Sequence, residues 1–384
     1  MEGEMNNLMK VSLSVFMSLC YCYAISKLVP KGKTRLLCVF PIVCLYLFLP
    51  LNLSSVHFRG IIGFFIGWLA NFKLLLFAFG NGPLCSDPSI SLKHFVTIAC
   101  FPIKIQQNPL SKHPRQSKPF VLKSDLFKEN PPAKPKNSQI ETIPSSPISY
   151  VNAIKSHLHY VVKGLLLGIL IRVYDYSEYI HPNVMWLFYC FHIYILLELI
   201  LAIVATLARA LLGLELEPQF NEPLLSTSLQ DFWGRRWNLM VTTILRPTVY
   251  EPSLQYMMQL VGRKWAPLPA VFATFVVSAL MHEIILYYMG RVKPTFRMTW
   301  FFLIHGFCLT VEIALKKGVK TRWRLPRLIS GPLTVGFVMV TCFWVFIPEF
   351  QRCKVDAMAF EEYAAFGALV NNIFLLIRSL FSEV

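Results

Sequence analysis

Long apolar stretches separated by short polar connections dominate the pattern of this chain. A transmembrane helix needs about 20 consecutive, mostly apolar residues, and about eight stretches approach that requirement. The predicted spans are Met9–Ile25, Leu36–Val56, Ile61–Phe79, His159–Val173, Val184–Leu212, Leu268–Met289, Thr299–Leu315 and Leu333–Ile347. The pattern therefore predicts an all-α, polytopic membrane protein whose single domain covers residues 1–384.

Three further segments depart from this pattern. Phe95–Ile105 is apolar but short and is interrupted by Pro102, which predicts a re-entrant or interfacial segment. The tail, Phe360–Phe381, is amphipathic and is predicted to lie on the membrane surface. Residues 106–150 are rich in Pro, Ser and Lys and poor in large apolar side chains, so they are predicted to form a flexible extramembrane loop. A regulatory or partner-binding arm is the alternative for this loop.

The composition agrees with a chain dissolved in lipid. Hydrophobic residues make up 55% of the sequence and charged residues only 15%, against about 25% charged in soluble domains. The net charge of +16 does not predict a nucleic-acid partner, because the basic residues cluster in short runs between apolar stretches. The ten cysteines are scattered and favour neither a disulfide framework nor a zinc site. We therefore expect the lipid bilayer as the partner, no nucleic acid and no metal.

Lysine and arginine in the connections predict the orientation of the spans. The first connection, Lys27–Arg35, is basic and is placed in the cytosol, together with the Pro-rich loop and residues 213–267. The acidic connection Asp175–His181 falls on the opposite side. The basic loop at residues 291–297 is the exception, because alternation of the spans places it on the lumenal side.

Ionisable side chains within spans are costly, so each is a candidate functional site. His282 and Glu283 lie inside an apolar span, and an imidazole is the side chain best suited to move a proton near neutral pH. The alternative is a structural hydrogen bond between helices. The other ionisable residues in spans are Lys73, His192, Glu198, His305 and Glu312. Of these, the last four are expected to make polar contacts between helices.

A second dense patch of candidate residues precedes this span. The patch and the span both belong to the segment of residues 213–290. The patch contains Trp233, Arg235, Arg236, Trp237 and Asn238. Tryptophan beside arginine is typical of a helix that lies at the level of the lipid headgroups. Arginine also binds phosphate through two parallel hydrogen bonds. Simple anchoring to anionic lipid is the alternative.

Several catalytic motifs are missing from the sequence. The HExxH motif of zinc proteases needs a second histidine four residues after His282, and Leu286 stands at that position. Neither a GxSxG motif nor a P-loop occurs. A proton-coupled transporter with His282, Glu283, His305 and Glu312 as a relay is a second hypothesis. Against it, no paired Gly- or Pro-broken spans occur in two matching halves.

Four segments together resemble the plant wax-synthase family of the membrane-bound O-acyltransferase superfamily. They are Trp68–Phe77, Asp231–Asn238, Arg246–Tyr250 and Ser278–Glu283. The resemblance extends from the first span to Glu349 and leaves out the Pro-rich loop and the last residues.

This resemblance implies an enzyme that moves a fatty acyl group from acyl-CoA, as co-substrate and without a cofactor, to a lipid hydroxyl. A long-chain alcohol, giving a wax ester, is the expected acceptor, and a sterol is the alternative, because sterol acyltransferases are close relatives. The resemblance implies His282 as the base and Asn238 as an assisting residue, in the endoplasmic reticulum. The expected contacts of acyl-CoA are Trp233, Arg235, Arg236 and Trp237. Glu283 is not expected to orient His282, because adjacent helical residues do not face each other.

Overall fold

Helices account for the regular structure of the chain. The computed structural model describes residues 2–85, 89–101, 147–212, 219–318 and 325–382, and no β-strand occurs among them. Eight helical stretches of this described part are long and apolar enough to cross a membrane. They are Gly3–Leu28, Lys33–Asn52, Val56–Ala78, Pro182–Leu211, Pro267–Gly290, Arg297–Gly318, Arg327–Arg352 and Val355–Ser379. The predicted all-α, polytopic membrane architecture is confirmed.

The α-helices are numbered here in chain order. The first seven are α1 (Glu2–Leu28), α2 (Lys33–Phe48), α3 (Val56–Ile62), α4 (Asn71–Ala78), α5 (Leu92–Cys100), α6 (Pro147–Tyr174) and α7 (Pro182–Leu212). The next eight are α8 (Leu229–Asp231), α9 (Leu239–Leu245), α10 (Glu251–Trp265), α11 (Pro267–Gly290), α12 (Arg297–Gly318), α13 (Arg327–Thr341), α14 (Ile347–Arg352) and α15 (Val355–Ser382). Four π-helical segments lie between some of them, at Gly63–Ala70, Phe232–Arg236, Arg246–Tyr250 and Cys342–Phe346.

The tail, predicted to lie on the membrane surface, forms a helix whose length and composition also suit a span. Helix α15 is one continuous helix of 28 residues, and most of its length meets the requirements of a span. Its polar residue Glu362 accepts hydrogen bonds from the backbone of Val56 (2.5 Å), from Ser55 Oγ (2.9 Å) and from His57 Nδ1 (2.5 Å). These contacts at the start of α3 satisfy the carboxylate, so Glu362 faces protein.

Two other predicted segments are only partly described. The apolar run that begins at Phe95 forms the short helix α5, which ends at Cys100 before the predicted break, and its residues from Pro102 onward lie outside the described residues. The predicted loop at residues 106–150 also lies outside them, up to the start of α6 at Pro147. The predicted span His159–Val173 falls within α6.

Helix α11 has the most extensive contacts with a neighbouring helix, and its main partner is α12. Gly306 on α12 allows the close approach, because a Cβ there would lie 2.7 Å from the Cβ of Phe275 on α11. Gly63 likewise allows the third span to approach α11 closely, since a Cβ at this position would lie 2.8 Å from the ring of Tyr288 on α11. Tyr288 also donates a hydrogen bond to the Leu47 carbonyl at 2.7 Å. Helix α11, which carries His282, is therefore held between α12 and the third span.

Candidate active site

His282 is fixed by a hydrogen bond within its own helix. Its Nδ1 lies 2.7 Å from the carbonyl oxygen of Ser278, one turn earlier. A carbonyl can only accept, so Nδ1 carries the hydrogen and the neutral ring has its lone pair on Nε2. Within the described part of the chain, no side chain is hydrogen-bonded to Nε2. The nitrogen that can take a proton is therefore available to a substrate.

Two aromatic rings enclose the imidazole of His282. The ring of Phe302, from α12, lies 4.1 Å from it between centroids, at an interplanar angle of 33°. The indole of Trp68, from the third span, approaches edge-on at 5.2 Å and 77°. These contacts restrict the imidazole to one orientation and surround it with apolar surface.

Asn238 occupies a special backbone position at the start of α9. Its φ of 40° and ψ of 65° are left-handed, a conformation that asparagine adopts more readily than other residues with a Cβ. Its side chain is buried, and its Oδ1 has no hydrogen-bond partner among the described residues. One turn later, Val241 packs on the apolar cluster that contains Trp68 and Met281. Helix α9 and the turn before His282 thus share one apolar cluster.

The tryptophans of the patch point into the protein. The indole Nε1 of Trp233 donates to Nδ1 of His305 at 3.2 Å, and its ring lies 6.1 Å from that of Phe302. Phe302 in turn contacts His282, so Trp233 is connected to the candidate base through the ring of Phe302. Trp237 stacks on Phe232 at 5.3 Å and 17°. The segment expected to lie at headgroup level is therefore a short helical turn packed against α12.

The two arginines of the patch have different surroundings. Arg236 donates from Nε to Asp231 Oδ2 at 2.8 Å and from Nη1 to the carbonyls of Asn221 and Glu222 at 3.1 and 3.2 Å. These bonds hold the backbone before α8. Arg235 is exposed. Of the two predicted contacts for CoA phosphate, Arg236 is therefore already used within the chain, and residues 213–218 of the same segment lie outside the described residues.

Glu283 points away from its neighbour His282. Its carboxylate accepts from the backbone N–H groups of Phe296 (3.1 Å) and Thr299 (3.2 Å) and from Thr299 Oγ1 (3.1 Å). These groups form the first turn of α12, whose N–H groups have no partner within the helix. Glu283 therefore caps α12, in agreement with the expectation that it does not orient His282.

The remaining members of the hypothetical relay also bond elsewhere. Glu312 accepts from the backbone N–H of Leu229 at 2.9 Å and from Lys316 Nζ at 2.5 Å. His305 bonds to Trp233 and to Thr341 Oγ1. Among the described residues, no hydrogen bond joins any two of the four proposed relay members, so the geometry does not support a relay.

The other ionisable residues of the spans make structural contacts. Lys73 is fully buried and donates to the carbonyls of Ile98 (2.7 Å) and Phe101 (2.5 Å), at the C-terminal end of α5. A cation is favourable there because of the exposed helix carbonyls. Glu198 forms an ion pair with Lys163 at 2.5 Å. His192 Nε2 is hydrogen-bonded to the Tyr363 hydroxyl at 3.0 Å.

Two contacts of His282 were not singled out from the sequence, namely Trp68 and Phe302. Trp68 begins the segment Trp68–Phe77, which belongs to the resemblance described above, so a signal for it existed. Phe302 had none, because a phenylalanine in an apolar span is ordinary. Only the packing of α12 against α11 reveals its place beside the imidazole.

Comparison with known proteins gives consistent results. Residues 216–304 match the model of the membrane bound O-acyl transferase family, a range that includes both Asn238 and His282. The chain is 47% identical to acyl-CoA–sterol O-acyltransferase 1 of Arabidopsis thaliana, over 94% of both chains. It is 40% identical to long-chain-alcohol O-fatty-acyltransferase of Simmondsia chinensis, again over 94% of both. With probable long-chain-alcohol O-fatty-acyltransferase 3 of Arabidopsis thaliana it shares 39% identity over 98% of its length.

Proposed function

The chain belongs to the membrane-bound O-acyltransferase family, and on that basis we propose that it transfers a fatty acyl group from acyl-CoA to the hydroxyl of a long-chain alcohol. The product is a wax ester. One structural observation supports the choice of site above all others: His282 uses Nδ1 to bond Ser278, and no hydrogen bond of its Nε2 occurs among the described residues. A general base needs that arrangement, with one nitrogen oriented and the other accessible.

The reaction follows from this geometry. As the alcohol oxygen adds to the thioester carbon, its proton passes to Nε2 of His282. The carbonyl oxygen becomes an oxyanion in the tetrahedral intermediate. The intermediate collapses by breaking the carbon–sulfur bond, and the leaving thiolate takes the proton from His282. Ester and CoA are formed, and His282 returns to its neutral state.

Asn238 is the assisting residue in this proposal. Its amide is buried and its Oδ1 has no partner in the described structure, so hydrogen-bonding capacity is left for a substrate. Buried polar groups are almost always paired in folded proteins, so an Oδ1 without a partner among the described residues is a reason to expect a ligand. Oδ1 can accept only from an N–H or O–H group of a substrate, whereas a bond to the thioester carbonyl needs the Nδ2 donor. Asn238 therefore either donates from Nδ2 to the thioester carbonyl or orients the CoA end of the donor.

We assign the binding of the acyl donor, acyl-CoA, to the patch of residues 233–238 that follows α8. Arg235, which is exposed, is the residue that we expect to meet the CoA phosphates, while Trp233 and Trp237 supply rigid aromatic walls. The lipid acceptor reaches His282 from the bilayer, since the base lies inside a span. The endoplasmic reticulum is the proposed location, and a fluorescent fusion that collects in another membrane would refute it.

A sterol is the second candidate for the acceptor. The specific observation in its favour is the 47% identity with an acyl-CoA–sterol O-acyltransferase over 94% of both chains. Relatives named for long-chain alcohols reach 38–41% identity in the same comparison. Both acceptors offer a hydroxyl, which is primary on a flexible chain in the long-chain alcohol and secondary on a rigid ring system in the sterol.

The experiment that tests the proposal compares membranes from cells that express wild type, His282→Ala or His159→Ala. Labelled acyl-CoA is supplied with a long-chain alcohol, with a sterol, or with both, and the esters are separated by chromatography. His159 is the matched control because it is a histidine with a side chain that is 59% exposed. We expect wax ester from wild type and His159→Ala and none above background from His282→Ala. Sterol ester alone would select the second candidate, and equal ester synthesis by His282→Ala would refute the site.

A further inference from the structure

The indole of Trp68 packs against the imidazole of His282 and carries a hydrogen-bond donor that has no partner among the described residues. Its side chain is fully buried, with 0% of its surface exposed. Its Nε1 has no hydrogen-bond partner among the described residues. The ring lies 5.2 Å from the imidazole of His282, at 77° to it. A buried N–H without a partner is costly, and folded proteins retain such groups mainly where they serve a ligand or a strained site.

The neighbouring indole shows that this region can satisfy a tryptophan. Trp233 also lies close to Phe302, and its Nε1 is bonded to His305 at 3.2 Å. The two indoles flank the His282–Phe302 pair, and only one of them lacks a partner in the described structure. Trp68 therefore differs from Trp233. A general lack of acceptors in this apolar environment does not explain why the Trp68 N–H has no partner among the described residues.

The backbone around Trp68 is held firmly in place. Trp68 belongs to the π-helical segment Gly63–Ala70, a form of helix that is rare and is found frequently at functional sites. Asn71 donates from Nδ2 to the carbonyl of Gly67 at 3.0 Å and to that of Val43 at 3.1 Å. Gly63 brings the segment against Tyr288 of α11. These contacts thus hold the indole in position, while its N–H has no hydrogen-bond partner in the described part of the chain.

We propose that the Trp68 N–H binds the carbonyl oxygen of the acyl thioester and stabilises the oxyanion that forms when His282 accepts the alcohol proton. This inference rests on the proposed function and adds a catalytic residue to it. An indole nitrogen donates and does not accept, so Trp68 cannot take the proton itself. A bond to the alcohol oxygen would weaken that nucleophile, whereas a bond to the carbonyl oxygen strengthens as negative charge develops there.

The experiment uses the purified full-length protein and two ways of removing the N–H. Trp68→Phe keeps an aromatic ring, and benzothienylalanine inserted at codon 68 keeps the two-ring shape with sulfur in place of N–H. Trp344→Phe is the matched control, since Trp344 is 75% exposed and lies on another helical segment. If Trp68→Phe lowers the yield of folded protein, the role of the N–H is judged from the benzothienylalanine variant alone.

Two measurements are made on each variant. Loss of an oxyanion donor is expected to lower kcat about 10²-fold, while the KM for acyl-CoA rises at most about 5-fold, as expected from the loss of one neutral hydrogen bond in the ground state. Binding is measured with an S-(2-oxoalkyl)-CoA, which has a ketone oxygen, and with an S-alkyl-CoA, which has none. Loss of one neutral hydrogen bond should weaken the ketone about 5-fold and leave the thioether unchanged.

The outcomes separate this inference from the proposed function. A kcat equal to that of Trp344→Phe, or equal weakening of both CoA analogues, would overturn the role of Trp68 while leaving His282 as the base. Failure of the wild type to form any ester would instead refute the proposed function. In that case the comparison of the two analogues still reports on the Trp68 N–H, because it needs no turnover.

Discussion

The indole Nε1 of Trp233 donates a hydrogen bond to Nδ1 of His305 across 3.2 Å. Because Nδ1 accepts, Nε2 of the neutral ring donates to Thr341 Oγ1 at 2.8 Å, and Thr341 donates to the Phe337 carbonyl at 2.9 Å. Both nitrogens of His305 are thus used in joining α12 to α13 and to the turn that carries Trp233. His282 on α11 differs, since its Nε2 has no such partner in the described structure.

Replacement of His305 by phenylalanine is expected to lower stability more than catalysis. His305→Phe leaves the buried N–H of Trp233 without an acceptor, at a cost of about 1–3 kcal/mol. Thermal unfolding in detergent should show this loss, while kcat per folded molecule falls less than about 10-fold. His282→Gln should do the reverse, with kcat lowered about 10²–10⁴-fold and an unchanged melting temperature. A stable but inactive His305→Phe protein would contradict this division of roles.

Asn238 offers a way to separate backbone from side-chain effects. Its left-handed φ of 40° costs an alanine about 1–2 kcal/mol, whereas glycine adopts it freely. Asn238→Ala should therefore lose stability and activity together. Asn238→Gly should melt like the wild type and still lose at least about 10-fold in kcat/KM, because both variants lack the amide. Full activity in Asn238→Gly would show that only the backbone conformation matters.

Much of the fold was predictable because lipid imposes a simple rule on the sequence. A span needs about 20 mostly apolar residues, and seven of the eight predicted spans coincide with helical stretches of the described residues that meet this requirement, α6 being the exception. The contacts of the tail were not predictable in this way, and Glu362 is an example. Its partners at Ser55, Val56 and His57 lie about 300 residues earlier, and no local pattern reveals a contact over such a separation.

The candidate site was predictable only in part, for a related reason. A histidine in a span is conspicuous because its burial is costly, so His282 is found from the sequence. Trp68 and Phe302 are apolar residues in apolar spans, and their importance comes from their distance to His282. The hydrogen bonds of Arg236 were equally impossible to predict from the sequence, since its partners Asp231 and Asn221 could not be distinguished from other polar neighbours.

Substitutions of Glu283 test the interpretation that this residue, which follows the base in the sequence, has a structural role. Glu283→Leu removes the acceptor for the N–H groups of Phe296 and Thr299, so it should cost about 1–3 kcal/mol of stability. Glu283→Gln retains one carbonyl oxygen and should cost less. For both variants, kcat per folded protein is expected to remain within about 3-fold of wild type. A large loss of kcat in a stably folded Glu283→Gln protein would give the carboxylate a part in the chemistry.

The adjacent arginines Arg235 and Arg236 are expected to respond differently to substitution. Arg236 makes bonds to Asp231, Asn221 and Glu222 that a lysine cannot reproduce, because lysine lacks the planar fork of donors. Arg236→Lys should therefore lower the melting temperature, corresponding to about 1–2 kcal/mol, with little change in KM. Arg235→Gln should raise the KM for acyl-CoA several-fold, measured on folded protein, since a charge-assisted bond to phosphate contributes about 1.5–3 kcal/mol.

Salt provides the control for this pair of variants, because ionic strength screens a contact between exposed charges. Wild-type KM for acyl-CoA should rise with added salt, and Arg235→Gln should show a weaker dependence. Lys354→Gln is the matched control, a basic residue in the short turn between α14 and α15. If Arg235→Gln and Lys354→Gln change the KM and its salt dependence equally, general surface charge accounts for the effect. In that case Arg235 does not bind the donor, and the patch of residues 233–238 supports the site through its packing on His305 and Phe302 alone.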